Sequence, residues 1–145
     1  MFGRLAVATA PLAFKYQMAG IRRPRLRKAA FQGVFHDPGA IRPEMLFENT
    51  VPALTSSPGY FDAITTLFGY DIRDRLEEID DPTLIVWGRQ DRLVPVPAAL
   101  SYKKRIGENA ELVIFDECGH VPQIERPVRF NRVLERFLRE RGEPD

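Results

Sequence analysis

The stretch Thr83-Leu84-Ile85-Val86-Trp87-Gly88-Arg89-Gln90-Asp91 decides the fold. A short, unbroken apolar run closed by glycine suits a strand buried on both faces, as the strands of parallel sheets are. Glu111-Leu112-Val113-Ile114-Phe115 repeats the pattern downstream. Between the two, Pro97 to Ile106 reads as a helix closed by Gly107, with Ala99, Leu100 and Ile106 facing inward. Beyond them, Phe130, Val133, Leu134, Phe137 and Leu138 recur at helical spacing, with Arg129, Arg132, Glu135, Arg136 and Arg139 on the outer face. Strand, helix, strand, helix is a β-α-β unit with a covering helix, which predicts an α/β fold with a parallel sheet. Two parallel strands alone keep unpaired backbone groups on both edges, and parallel sheets occur almost only in larger, doubly covered structures. The chain therefore reads as part of a sheet.

Upstream the texture is helical and irregular. Helices are expected from about Leu5 to Gly20, over Leu26 to Val34 with a stop at Asp37-Pro38-Gly39, from Pro43 to Leu54, and from Pro58 to Gly69 behind an N-cap at Ser57. Asp71 to Asp81 is an acidic connector carrying Ile72, Leu76 and Ile79. The 145 residues make one domain's worth of chain, and 44% apolar with 28% charged residues is a globular composition. The longest apolar stretch, Leu5 to Phe14, is interrupted by Pro11 and falls short of the roughly 20 residues that span a bilayer. Cys118 is the only cysteine, which excludes an intrachain disulfide and a cysteine-rich zinc site and suits a reducing cytoplasm. The net charge of +1 hides an asymmetry: residues 1 to 30 hold seven basic groups and no acid, the remainder 14 basic and 20 acidic. The basic stretch Arg22 to Lys28 reads as a solvated helix face or as a surface that docks on an acidic partner; a nucleic-acid or membrane-surface partner is not expected.

In an open parallel sheet, functional groups gather just past the carboxyl ends of the strands. Gly88-Arg89-Gln90-Asp91 follows the first run and Asp116-Glu117-Cys118-Gly119-His120 the second, so a carboxylate and an imidazole emerge from neighbouring strand ends on one side. A carboxylate so placed can hold a histidine by its Nδ1 proton and leave Nε2 free as a general base. The segment Pro82 to Pro95, which carries Asp91, and the segment Gly119-His120-Val121-Pro122-Gln123-Ile124-Glu125-Arg126-Pro127 together resemble the acid-bearing and histidine-bearing segments of the α/β-hydrolase fold superfamily. The resemblance covers residues 70 to 140 well, and residues 1 to 69 more loosely as a helical cap. It implies a partial α/β-hydrolase fold, with a cap region at 1–70 and the carboxyl-terminal part of the core at 71–145. It also implies Asp91 as the orienting acid, His120 as the general base, and an acyl-enzyme mechanism without metal or organic cofactor.

The superfamily pattern places the serine in a G-x-S-x-G turn before the acid and the histidine. That turn does not occur here: Ser56, Ser57 and Ser101 all fall in expected cap or helix. Asp116 is a fallback acid, four residues before His120. Glu125 is expected to favour the start of the last helix through the helix dipole, Cys118 to pack as a small apolar residue, and His36 to belong to a loop. With two histidines, His36 and His120, and no phosphate-binding glycine motif, neither a metal nor a nucleotide cofactor is expected. Phe31, Phe35, Met45, Phe47, Tyr60, Phe61 and Phe68 could line a cap for an apolar acyl or aromatic substrate, or simply form core.

The resulting reading is a hydrolase of esters or related carbon substrates, present as a chain without its nucleophile and taking a small apolar molecule in the complete enzyme. By the resemblance, related members open epoxides or carbon–halogen bonds with an aspartate, or carbon–carbon bonds with a serine. The alternative is a non-catalytic half-protein or partner subunit, whose sheet is completed by the missing amino-terminal half or by self-association.

Overall fold

The computed structural model describes residues 23–46, 48, 66 and 70–141. The chain forms two compact units: Met1–Gln32 with Pro38–Asp71, and Gly33–Asp37 with Ile72–Asp145. The helices expected at 5–20 and 58–69 lie outside the described residues, apart from a helical Thr66; of the helix expected at 43–54, residues 43–46 and 48 are described and helical.

In the first unit, α1 (Pro24–Phe31) opens on proline at its first turn, where the missing N–H is no loss. Phe31, Ile41 and Leu46 are buried. Arg27 corrects the sequence reading of a wholly solvated basic face: it is 7% exposed. Standing one helical turn before Phe31, it shares that residue's inward face. Its guanidinium donates to Pro38 O at 3.2 Å and Gly39 O at 3.3 Å, which fixes the turn after the helix. Arg23, Arg25 and Lys28 are exposed, as expected.

The second unit holds the sheet. β1 (Thr83–Gly88) and β2 (Ala110–Phe115) pair in parallel, with Thr83 opposite Ala110 and Gly88 opposite Phe115. The crossover is α2 (Pro97–Ile106), which has proline at its first turn and ends at Gly107, whose φ of 79° only glycine adopts freely. Lys103 Nζ donates to Gly107 O at 2.7 Å and covers a carbonyl that the helix end leaves open. Ile85, Ala99 and Ala110 form the buried centre, with Trp87, Tyr102, Ile106 and Leu112 packed around it. Ala99 is fully buried where α2 meets the sheet, whereas Leu100 is 52% exposed, contrary to the expected inward face. Successive helical residues point about 100° apart, so a helix seated on a sheet through a small alanine turns its next residue outward.

The acidic connector contains a 3-10 turn, Arg73–Glu78, whose Leu76 is buried. It is tied to α2 through Arg105, which donates to Arg73 O at 3.1 Å and pairs with Asp74. After β2 come α3 (Pro122–Glu125) and α4 (Pro127–Arg141). α4 buries Phe137, and Phe130, Val133 and Leu134 are half-buried. Arg129 stacks over the Phe115 ring at 4.2 Å, a cation–π contact, and Arg136 pairs with Glu111. Leu138, expected inside, is 56% exposed, because it lies one residue beyond the buried stripe. Among the described residues no helix is long and apolar enough to cross a membrane.

These neighbours on one helix should therefore differ sharply. Phe137→Ala is expected to lower stability by about 3 to 5 kcal/mol, and Leu138→Ala by roughly 0.5 kcal/mol or less. Urea unfolding of both variants checks this, and equal losses would contradict the packing described.

Candidate active site

The loops that leave β1 and β2 are bonded to one another along their length. Arg89 N donates to Phe115 O at 2.8 Å, Gln90 N to Cys118 O at 2.9 Å, and Cys118 N to Gln90 Oε1 at 3.0 Å. The approach is so close that a Cβ on Gly88 would stand 1.9 Å from Gly119 O, a position no side chain can share. Glu117 makes the reversal after β2 in the left-handed region, with φ 51°, and Arg126 donates to its carbonyl at 2.6 Å.

This zipper brings the two expected residues together. Asp91 is 7% exposed, and its Oδ1 accepts from Leu93 N and Val94 N, each at 2.9 Å, the local turn that aspartate favours. Trp87 Nε1 donates to Val94 O at 2.9 Å, so the indole at the end of β1 braces the turn that holds the carboxylate. Asp91 Oδ2 faces His120 Nδ1 at 2.8 Å. The Asp91 side chain is 2% exposed and the His120 ring 39%. A buried carboxylate with two N–H donors on one oxygen and an imidazole on the other is fully satisfied, which is what burial of a charge requires. With Nδ1 as the donor to Asp91, Nε2 carries the lone pair; it has no hydrogen-bond partner among the described residues and can take a proton from a nucleophile.

The histidine loop is held from a direction that sequence reasoning missed. His120 N donates to Val34 O at 2.7 Å. Glu125 Oε1 accepts from Gly119 N at 2.7 Å and Oε2 from His36 N at 2.7 Å. Glu125 thus serves the backbone of the nearby histidine loop and of the distant segment at His36 instead of the expected start of the last helix, because its place in the short α3 brings it back onto the loop. His36, expected only as a loop residue, enters through its main chain; its Nδ1 is buried without a hydrogen-bond partner among the described residues. Asp116, the fallback acid, pairs with Arg89 at the surface, and the carboxylate that meets His120 is that of Asp91.

Cys118 packs as expected and is fully buried. Burial foremost, then the Glu125 carboxylate, push its thiol from 9.0 up to about 12. Among the described residues no three of His, Cys, Asp and Glu stand together in a way that could hold a metal ion. Phe31 and Phe35 are core side chains, 3% and 5% exposed. Phe47, Tyr60, Phe61 and Phe68, and Ser56 and Ser57, lie outside the described residues; Ser101 sits in α2.

The state of Cys118 generates a prediction. Its folded value lies above the unfolded one, so the protonated thiol favours the fold below about pH 9, and that contribution is lost as the pH rises toward 12. At neutral pH, alkylation of the native protein should run at least about 100-fold slower than in urea. Equal rates would show that Cys118 is neither buried nor held as a thiol.

Comparison with known proteins gives concordant matches. A family model described as alpha/beta hydrolase fold matches residues 42–127, more than half of the chain. Over 92 residues the chain is 41% identical to a 2-hydroxy-6-oxononadienedioate/2-hydroxy-6-oxononatrienedioate hydrolase of Burkholderia vietnamiensis, a match covering 63% of this chain and 29% of that protein. Over 75 residues it is 44% identical to a 2-hydroxy-6-oxo-6-phenylhexa-2,4-dienoate hydrolase of Comamonas testosteroni, covering 52% of this chain and 26% of that protein. The matches thus span less than a third of these relatives. Among solved structures, a 2-hydroxy-6-oxo-6-phenylhexa-2,4-dienoate hydrolase of a Rhodococcus species superposes with a TM-score of 0.60 at 22% identity, covering 85% of this chain and 46% of that one. A meta-cleavage product hydrolase of Pseudomonas fluorescens gives 0.60 at 23% identity, covering 81% and 46%. At these identities the structural likeness speaks for the fold alone.

Proposed function

The chain belongs to the alpha/beta hydrolase fold family, and on that premise we propose that it carries the acid and the base of a hydrolase active site, Asp91 and His120. The observation that supports this most is the 2.8 Å contact between a buried carboxylate and a half-exposed imidazole whose Nε2 is left open. In this mechanism Asp91 keeps the proton of His120 on Nδ1 and stabilises the imidazolium. His120 Nε2 removes a proton from a serine hydroxyl and later returns it to the leaving group. The serine is supplied by sequence outside these 145 residues, since no G-x-S-x-G turn is present. Residues 1–70 are the cap region and 71–145 core, with the strap Gly33–Asp37 held by the core unit.

The curated relatives suggest the substrate class. A 2-hydroxy-6-oxo-dienoate contains a ketone and a carboxylate but no ester or amide, so its hydrolysis breaks a carbon–carbon bond beside the ketone. We place the complete enzyme on that chemistry, acting on a small, conjugated keto acid in a reducing cytoplasm.

The test restores the missing part, in cis or in trans, as a segment whose strand runs into G-x-S-x-G, and follows both turnover of a 2-hydroxy-6-oxo-dienoate and labelling by a serine-directed fluorophosphonate. In the restored enzyme Asp91→Asn should lower kcat by about 10,000-fold, the scale set by the wrong histidine tautomer in serine hydrolases. His120→Ala should abolish labelling while leaving the melting temperature near its original value. Labelling and turnover that persist in both variants would refute the assignment. A restored enzyme with no turnover and no labelling would instead favour the non-catalytic partner subunit, a reading to which the missing nucleophile lends support.

A further inference from the structure

Glu125 does more than its position on a four-residue helix requires. Its two carboxylate oxygens each accept one backbone N–H, from Gly119 and from His36, both at 2.7 Å, lengths typical of charge-assisted bonds. The second of these joins residues 89 apart in sequence. His120 N closes the circuit by donating to Val34 O at 2.7 Å. The strap Gly33–Asp37 is therefore fastened to the histidine loop at two points, and Glu125 reaches both partners at once. The fit leaves no slack: a Cβ on Gly119 would lie 2.6 Å from Val34 O, 2.8 Å from His36 N and 2.9 Å from Glu125 Oε1. From this immobilised backbone the His120 side chain spans to Asp91 Oδ2.

We propose that Glu125 is a positioning residue for His120: by gripping the Gly119 and His36 amides together, its carboxylate fixes the backbone from which the imidazole meets Asp91. The inference rests on the reading of Asp91 and His120 as the acid–base pair. Only a carboxylate of this length serves. A glutamine presents one oxygen and one NH2, so one of the two amides would face a donor in place of an acceptor. An aspartate keeps the charge but is one methylene too short to reach both segments. Loss of either bond frees the strap or the loop, and a hydrogen bond weakens steeply once its geometry is lost.

The test is nitrogen-15 NMR on the whole 145-residue chain, in which His36 and His120 are the only histidines to resolve. In the wild type, the Gly119 and His36 amide protons should lie well downfield of ordinary amides, and neutral His120 should be mainly the Nδ1–H tautomer. In Glu125→Gln at least one of the two amides should lose that displacement, and the ratio of Nδ1–H to Nε2–H in His120 should fall at least about fivefold, the order expected when one positioning hydrogen bond is lost. Glu125→Asp should fall between the two. A purely structural Glu125 would lower the unfolding midpoint of both variants while leaving the tautomer ratio of the folded molecules at its wild-type value, and that result overturns the proposal. Should Glu125→Gln not fold, ordinary positions for the two wild-type amides overturn it as well. Asp91→Asn separates the underlying reading: a wild-type His120 without an Nδ1–H preference, unchanged in Asp91→Asn, removes the pair and the inference together. A preference that Asp91→Asn abolishes but Glu125→Gln preserves removes the inference alone.

Discussion

Where β1 ends, the chain has to pass within touching distance of the loop that leaves β2, and the site depends on that approach. Gly88 meets the Gly119 carbonyl where any other residue would place its Cβ, and Gly119 in turn leaves no room against Val34, His36 and Glu125. With both side chains absent, the loop amides reach their partners, Gln90 bonding Cys118 in both directions. Asp91 and His120 face one another because their backbones are pinned so near, not because the two side chains attract strongly enough to find each other. The parallel register carries this further: Gly88 stands opposite Phe115, so both strands end at the same level and release their loops on one side.

Two carboxylates are managed in the same way on either side of this contact. Asp91 spends one oxygen on two N–H groups of its own turn and keeps the other for the imidazole. Glu125 gives each oxygen one N–H from a different segment. Backbone donors are fixed dipoles that need no reorganisation, so they stabilise negative charge where the carboxylate stands. Cys118 lies buried beside this arrangement, and its burial together with the Glu125 charge keeps it a thiol, which leaves His120 as the group with an exposed face. The family matches describe proteins of which this chain covers less than a third; in the function proposed above, the nucleophile comes from the remainder.

The second half of the chain was legible because its signals are local. Unbroken apolar runs mark β1 and β2, Pro97 and Gly107 bracket α2, and Asp91 and His120 follow the two strands at once. Leu100 and Leu138 show the resolution of that reading: periodicity finds the buried face of a helix, but a residue at its margin turns outward once a neighbour such as Ala99 or Phe137 takes the contact. Arg27 was hidden by its company, since composition sees seven basic groups and cannot see that one shares a face with Phe31. The strap at Val34 and His36 and its hold on Glu125 left no trace in the sequence, because backbone N–H groups look the same in every residue and the partners lie 89 positions apart. The close approach of Gly88 to Gly119 was the available hint, one glycine at the end of β1 and one in the loop after β2 where contact had to be tolerated.

The hydrogen bond from His120 Nδ1–H to Asp91 ties the site together, and its proton can be observed directly. A one-dimensional proton spectrum of the folded chain in water should show a resonance far downfield of every amide, protected from exchange and absent from Asp91→Asn. A spectrum with no such resonance at low temperature and near-neutral pH, from a protein shown to be folded, would mean that the pair is not formed and would contradict the account.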